Sequence, residues 1–188
     1  MPQSTGDTHH IYLLSWLFLI SGGLAALTPE PSPFWGWVLL ANVVVSGVWT
    51  GIGYYRALHQ GSKWRIIYSI VHLDMFSIYM VILAWRGNGE TALGALFYFL
   101  PVVVVGWIGY SYRRRVFSEI LQPRSLLSKI LWFLATGAGG GAIAGLVIGK
   151  SFPQIALYWM YLVFLLLILF SHSMWIKAEN PNYEPYQE

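Results

Sequence analysis

Asp74 is the residue of this chain whose type and position most clearly suggest chemistry. It lies near the middle of a 22-residue apolar stretch, 64–85, that begins and ends with tryptophan. At about 1.5 Å of rise per residue, a helix places this carboxyl group ~15 Å from the first tryptophan. That is half of the ~30 Å hydrocarbon core of a bilayer. An ionisable group is costly at such depth, so Asp74 marks a candidate functional site.

Few other polar residues are placed to join Asp74. Ser77 follows it by three residues and shares its helix face, whereas His72 points nearly opposite on the same helix. Counting rise per residue brings Asn42 and Thr136, from two other apolar stretches, to a similar depth. We therefore predict a mid-membrane polar site made of Asp74, Ser77, His72, Asn42 and Thr136.

Three roles for Asp74 stay open from the sequence. As a carboxylate lining a hydrated path, it would carry protons or bind a cation or an amine-bearing solute, and this role is favoured for an intramembrane charge. As a neutral acid it would lock helix packing through hydrogen bonds. As a subunit contact it would meet a cation of another membrane protein.

The five histidines raise the alternative of haem binding through His72 or His172. A pair of axial ligands must lie at one depth on facing helices, and His72 is ~12 Å from the end of its span while His172 is only ~6 Å from the same side. Their unequal depths disfavour the pair, so we predict no cofactor. No spacing of acids or histidines resembles a zinc site, so no metal is predicted either.

Composition excludes several classes of protein. Of the 188 residues, 56% are hydrophobic and 10% charged, against ~25% charged in an average soluble domain. Cysteine is absent, which removes disulfides and thiol chemistry. The net charge of +3 sits in short gaps between apolar runs, so nucleic acid is not expected as a partner. The motifs HExxH, GxSxG and GxxxxGK[ST] are missing, which favours a protein that is not an enzyme.

Apolar runs of about 20 residues recur along the chain, as a polytopic bundle requires. We predict one all-α domain, 1–188, with six transmembrane helices and a polar tail at 177–188. No Lys or Arg precedes the first apolar run, which argues against a signal peptide. The predicted spans are 11–27, 34–55, 64–85, 93–112, 126–148 and 155–176.

Cations predict the orientation of these spans. Nine of the eleven Lys and Arg residues flank the second and fourth connections or follow the last span, and the other side has only Arg86 and Lys150. Because cytoplasmic loops carry the excess of cations, both termini are predicted in the cytoplasm, in a plasma (inner) membrane. Three consecutive arginines of the fourth connection are candidates for contact with lipid headgroups: Arg113, Arg114 and Arg115.

Glycine spacing predicts close helix packing. Residues four apart share a helix face, and a side-chain-free groove lets a neighbouring backbone approach. The fifth span has such a series, and the second span has a shorter one: Gly137, Gly141, Gly145 and Gly149, and Gly47 with Gly51. These grooves favour packing within one protomer, with a homo-oligomer or another membrane subunit as the alternative partner.

These patterns predict a small integral membrane transporter or channel, with proton coupling as an option, whose path passes Asp74. The alternative is a non-catalytic subunit that packs into a larger membrane complex through its glycine-rich and aromatic helix faces. Membrane lipids are the expected surroundings in either case.

Overall fold

Pro33 and Thr91 show how residues at a helix start favour its first turn. Pro33 occupies the first turn of the second helix, where its missing N–H leaves no hydrogen bond unmade. The side chain of Thr91 accepts a hydrogen bond from the N–H of Gly94 at 3.0 Å and so caps the fourth helix. Before that cap, the third helix ends at Gly87, and Gly89 adopts a φ of 95° in the connection.

The computed structural model describes residues 9–56, 58, 61–122, 125–130, 133 and 153–184, with side chains from residue 15 and, in the last segment, from residue 157. These parts of the chain form helices and contain no strand, which confirms the all-α prediction. The helices are α1 (His9–Leu27), α2 (Pro33–Tyr55), α3 (Ser62–Gly87), α4 (Ala92–Ser111), α5 (Arg113–Leu121), α6 (Pro153–Ser173) and α7 (Trp175–Glu179).

Four helical stretches are long and apolar enough to cross a bilayer, as expected of a membrane protein: Pro33–Tyr55, Ser62–Gly87, Ala92–Ser111 and Leu157–Glu179. The last of these combines most of α6 with α7, so it runs beyond the predicted end at residue 176. In α1 the apolar stretch is the shorter Ser15–Leu27. The predicted fifth span, 126–148, lies largely outside the described residues.

Helix α3 is the centre of the bundle. It packs most extensively against α1 on one side and α6 on the other, and α6 also packs against α4. Two apolar clusters fill these contacts, one between α3, α4 and α6 and one between α1 and α3. Their buried members are Val81, Ala84, Tyr98, Tyr161 and Phe164 in the first, and Phe18, Ala25, Tyr79 and Ile82 in the second.

A neighbouring tyrosine compensates for the proline inside α4. Pro101 has no N–H, so the carbonyl of Phe97 loses its helical donor. The hydroxyl of Tyr161 on α6 donates to the carbonyl of Tyr98 at 3.1 Å and lies 3.4 Å from that of Phe97. The carbonyl groups exposed next to the proline therefore contact Tyr161 and contribute to the α4–α6 contact.

Arg86 holds one end of the bundle together. Its guanidinium is only 4% exposed and donates to the carbonyls of Ala25 and Glu30, the latter at 2.7 Å, while its Nε pairs with Glu90. The end of α3 is thereby fixed to the end of α1 and to the following turn. A buried guanidinium is tolerated because each of these donors has an acceptor.

Candidate functional site

The carboxyl group of Asp74 lies between helices. Asp74 stands at the midpoint of α3 and its side chain is 21% exposed. The hydroxyl of Ser171 on α6 donates to its Oδ1, and Nδ1 of His172 lies 3.5 Å from the same oxygen. The candidate site is therefore a carboxylate, an imidazole and a hydroxyl at the α3–α6 contact, which we call the Asp74 cluster (Asp74, Ser171 and His172).

The backbone of α6 determines the tautomer of His172. Nδ1 lies 3.1 Å from the carbonyl oxygen of Ile168, which can only accept, so in the neutral ring Nδ1 carries the proton. The same nitrogen is the one that approaches Asp74. Nε2 is then the basic nitrogen of the ring. A proton that arrives at Nε2 would allow the ring to release its Nδ1 proton towards the carboxylate.

Two glycines of α4 make room for this imidazole. A Cβ atom at Gly106 would lie 3.2 Å from Nε2 of His172, and one at Gly109 would lie 2.7 Å from the carbonyl oxygen of Leu169 and 3.0 Å from Cβ of His172. Both glycines are buried. The absence of side chains at these positions brings α4 against the ring, so that the Asp74 cluster is enclosed by three helices.

Among the predicted partners that the structure describes, neither Ser77 nor Asn42 forms a hydrogen bond with Asp74. Ser77 is buried and donates to the carbonyl of Leu73 in its own helix. Asn42 donates to the hydroxyl of Tyr79 at 2.7 Å. Thr136 lies outside the described residues.

His72 belongs to a second polar cluster, on the opposite side of α3. Its Nδ1 bonds the carbonyl of Tyr68 at 2.9 Å, and its Nε2 lies 2.8 Å from the hydroxyl of Ser46 on α2. The hydroxyl of Tyr68 in turn contacts Ser15 at 2.6 Å and Thr50 at 3.2 Å. His72 and Tyr68 are fully buried and their rings stack with centroids 3.8 Å apart. We call this set the His72 cluster.

These contacts bear on the haem alternative. Since both ring nitrogens of His72 already have partners, iron could bind this residue only after the His72 cluster had been broken. His172 faces α4 and the Asp74 side of α3 instead, so the two histidines do not face each other across a shared space. Among the described residues, no three His, Cys, Asp or Glu side chains are grouped to hold a metal ion.

The glycines predicted to pack helices are placed as follows. Gly47 and Gly51 of α2 are exposed, and a Cβ at either would meet no atom of the described chain within 4 Å. The four glycines of the fifth span lie outside the described residues: Gly137, Gly141, Gly145 and Gly149. Close interhelical contacts occur instead at other glycines of the described residues, among them Gly106 and Gly109 of α4, Gly22 of α1 and Gly53 of α2.

The three arginines differ in their surroundings. Arg113 donates to Glu179 of α7 at 2.8 and 3.0 Å, and its guanidinium lies 4.8 Å from the ring centre of Tyr110. Arg114 and Arg115 are exposed. Arg113 is therefore part of an intramolecular ion pair, and the headgroup prediction stays open for the other two.

Sequence reasoning missed the α6 side of the site. Counting residues from helix ends placed His172 ~9 Å nearer the surface than Asp74, yet the two side chains meet. The count assumes that all helices start in one plane, whereas neighbouring helices are offset along their axes. A signal was present, since Ser171, His172 and Ser173 form a polar triplet that interrupts an otherwise apolar run.

Comparison of the chain with protein-family models, curated proteins and solved structures finds no match. Its function must therefore be inferred from the contacts of Asp74 and His172.

Proposed function

We propose that this protein is a small membrane transporter or channel that moves protons, and that Asp74 and His172 relay them. The observation that carries the proposal is the approach of Nδ1 of His172 to Oδ1 of Asp74 at 3.5 Å, at the midpoint of a membrane-spanning helix. A carboxyl group at this depth of a bilayer is expected to serve a function, because placing an ionisable group there is costly.

The relay consists of proton binding, transfer, release and a reset of the ring. A proton from one side binds Nε2 of His172 and gives an imidazolium. The imidazolium transfers its Nδ1 proton to the carboxylate of Asp74, leaving a neutral ring with its proton on Nε2 and a neutral acid. Asp74 then releases the proton to the other side. The ring regains its starting tautomer by losing the Nε2 proton to water on the entry side and taking up a proton at Nδ1 from the same side. Each transfer connects groups that can exchange protons, as His and Asp do in general acid–base chemistry.

The pairing also keeps the cost of charge low. An ion pair of carboxylate and imidazolium has zero net charge, and so does the neutral acid beside the neutral ring. Moving the proton within the pair therefore avoids leaving an isolated charge in the bilayer. The Ser171 hydroxyl supports the charged form of Asp74 by donating to it.

Sidedness follows from the distribution of cations. The end of the bundle that carries α5 includes Lys63, Arg113 and Lys177, and we place this end in the cytoplasm because it has the excess of positive charge. With six crossings, both termini lie there as well. The membrane would be a plasma (inner) membrane.

Purified protein in liposomes tests the proposal. With a pH gradient and a potassium–valinomycin clamp of the membrane potential, proton uptake is followed with a trapped pH dye. We expect Asp74→Asn to reduce the uptake rate to that of empty liposomes, because an amide does not exchange protons with His172. Ser77→Ala is the matched control, since within the described part of the chain the Ser77 hydroxyl bonds the backbone of its own helix and not Asp74.

Unchanged uptake in Asp74→Asn would contradict the relay. Asp74 would then be a packing residue, as expected of a non-catalytic subunit of a larger membrane complex.

A further inference from the structure

A cleft with polar and apolar walls opens on the α5 end of the bundle. It has a volume of about 320 Å³ and is lined by Lys63, Tyr110, Trp175, Ala178 and Glu179. Its wall combines the start of α3, the end of α4 and the whole of α7. Helices α3 and α4 also border the Asp74 cluster, and α7 follows α6 directly in the chain.

The inner wall of the cleft adjoins the surroundings of the imidazole. Trp175 follows His172 by three residues, a rise of ~4.5 Å along a helix. Tyr110 directly follows Gly109, whose Cβ position lies 3.0 Å from Cβ of His172. Two residues of the cleft, Trp175 and Tyr110, therefore lie within about one helical turn of the backbone of His172.

The outer wall carries charge of both signs. Lys63 is exposed at the start of α3, and Glu179 is held by Arg113 at 2.8 Å. An ion pair and an exposed ammonium group keep water at such a rim, because charged groups resist leaving water. The aromatic rings of Tyr110 and Trp175 suit the membrane–water interface, where one edge of the ring is wet and the other is not.

We propose that this cleft is the aqueous vestibule through which His172 exchanges protons with the solution on the α5 side. The inference rests on the proposed relay and adds its entrance. It assigns Lys63 and Glu179 to the mouth of the vestibule, and Tyr110 and Trp175 to the wall between the mouth and the imidazole.

Accessibility of the imidazole position tests the vestibule without relying on flux. The chain has no cysteine, so single substitutions report one position each. We expect His172→Cys in liposomes to react with a membrane-impermeant cationic methanethiosulfonate reagent added on the α5 side. Ser173→Cys is the control, since Ser173 is fully buried and donates to the carbonyl of Phe170. The expected rate for His172→Cys is at least tenfold the control rate, and equal rates would overturn the vestibule.

Chemical modification at the mouth of the vestibule tests its role in proton uptake. Proton uptake by Lys63→Cys is measured before and after the same reagent, and we expect modification to lower the rate at least fivefold. Ser62→Cys is the matched control, because Ser62 is exposed beside Lys63 but does not line the cleft. Unchanged uptake after complete modification, verified by mass spectrometry, would overturn the vestibule and leave the relay standing. If wild type and Asp74→Asn take up protons at the same rate, the relay is overturned instead, and the vestibule with it.

Discussion

Hydrogen bonding decides what a carboxyl group in the middle of a membrane helix can do. Asp74 is 21% exposed and accepts a hydrogen bond from Ser171. Its other neighbour, His172, has a ring with one nitrogen that donates a proton and one that accepts. A lone carboxyl group would stay protonated to avoid the cost of burying charge, whereas a carboxyl group beside an imidazole has a second group with which to exchange its proton.

The hydroxyl of Ser171 yields a prediction with a close control. Ser171→Ala removes the donor to Asp74, and we expect proton uptake to fall about tenfold, since hydrogen bonds to charged groups contribute ~1.5–3 kcal/mol. Ser173→Ala removes a buried hydroxyl from the same helix, one that donates only to the carbonyl of Phe170. It should retain the wild-type rate in the liposome assay. Equal loss in both variants would mean that Ser171 acts through helix packing alone.

The His72 cluster is predicted to stabilise the fold without taking part in the relay. Ser46→Ala removes the partner of Nε2 of His72. Interhelical hydrogen bonds in membranes contribute about 0.6 kcal/mol on average and up to ~1.7, so the free energy of unfolding in detergent should fall by that amount. Proton uptake should not change. A large loss of uptake with an intact fold would place His72 in the proton path.

At the scale of helices, glycine placement decides how closely α4 approaches α6. Gly109→Ala would put Cβ 2.7 Å from the backbone carbonyl oxygen of Leu169, so the helices must separate. Strain of this kind costs ~1–3 kcal/mol, and the separation should also reduce proton uptake by moving the walls that enclose His172. Gly47→Ala is the control, because its Cβ meets no described atom within 4 Å. Thermal unfolding in detergent compares the two, and equal stability would contradict the close α4–α6 contact.

The sequence predicted the helices better than their partners. Runs of apolar residues predicted four long helices that the structure contains. Which helix faces Asp74 could not be read, because the rotation and axial offset of a helix depend on packing that one sequence does not encode locally. Arg86 shows the same limit, since its acceptors at Ala25 and Glu30 are distant in the chain.

At the scale of the whole molecule, the orientation of the bundle is open to a direct test. The cation count predicts that the α5 end faces the cytoplasm. In inside-out membrane vesicles, Arg114→Cys should react with an impermeant thiol reagent and Ala92→Cys should not, and right-side-out vesicles should give the reverse. Both residues are exposed, so each substitution is accessible from its own side. The opposite labelling pattern would invert the topology and place the vestibule outside the cell.

The central claim is that Asp74 and His172 act as one unit, and a double-mutant cycle in proton uptake tests it most directly. Residues that act together show strongly non-additive effects. We predict that Asp74→Asn and His172→Gln each abolish most of the uptake above empty liposomes, and that the double variant is no slower than either single one. Uptake at the wild-type rate in either single variant, with the fold intact by circular dichroism, would contradict the account.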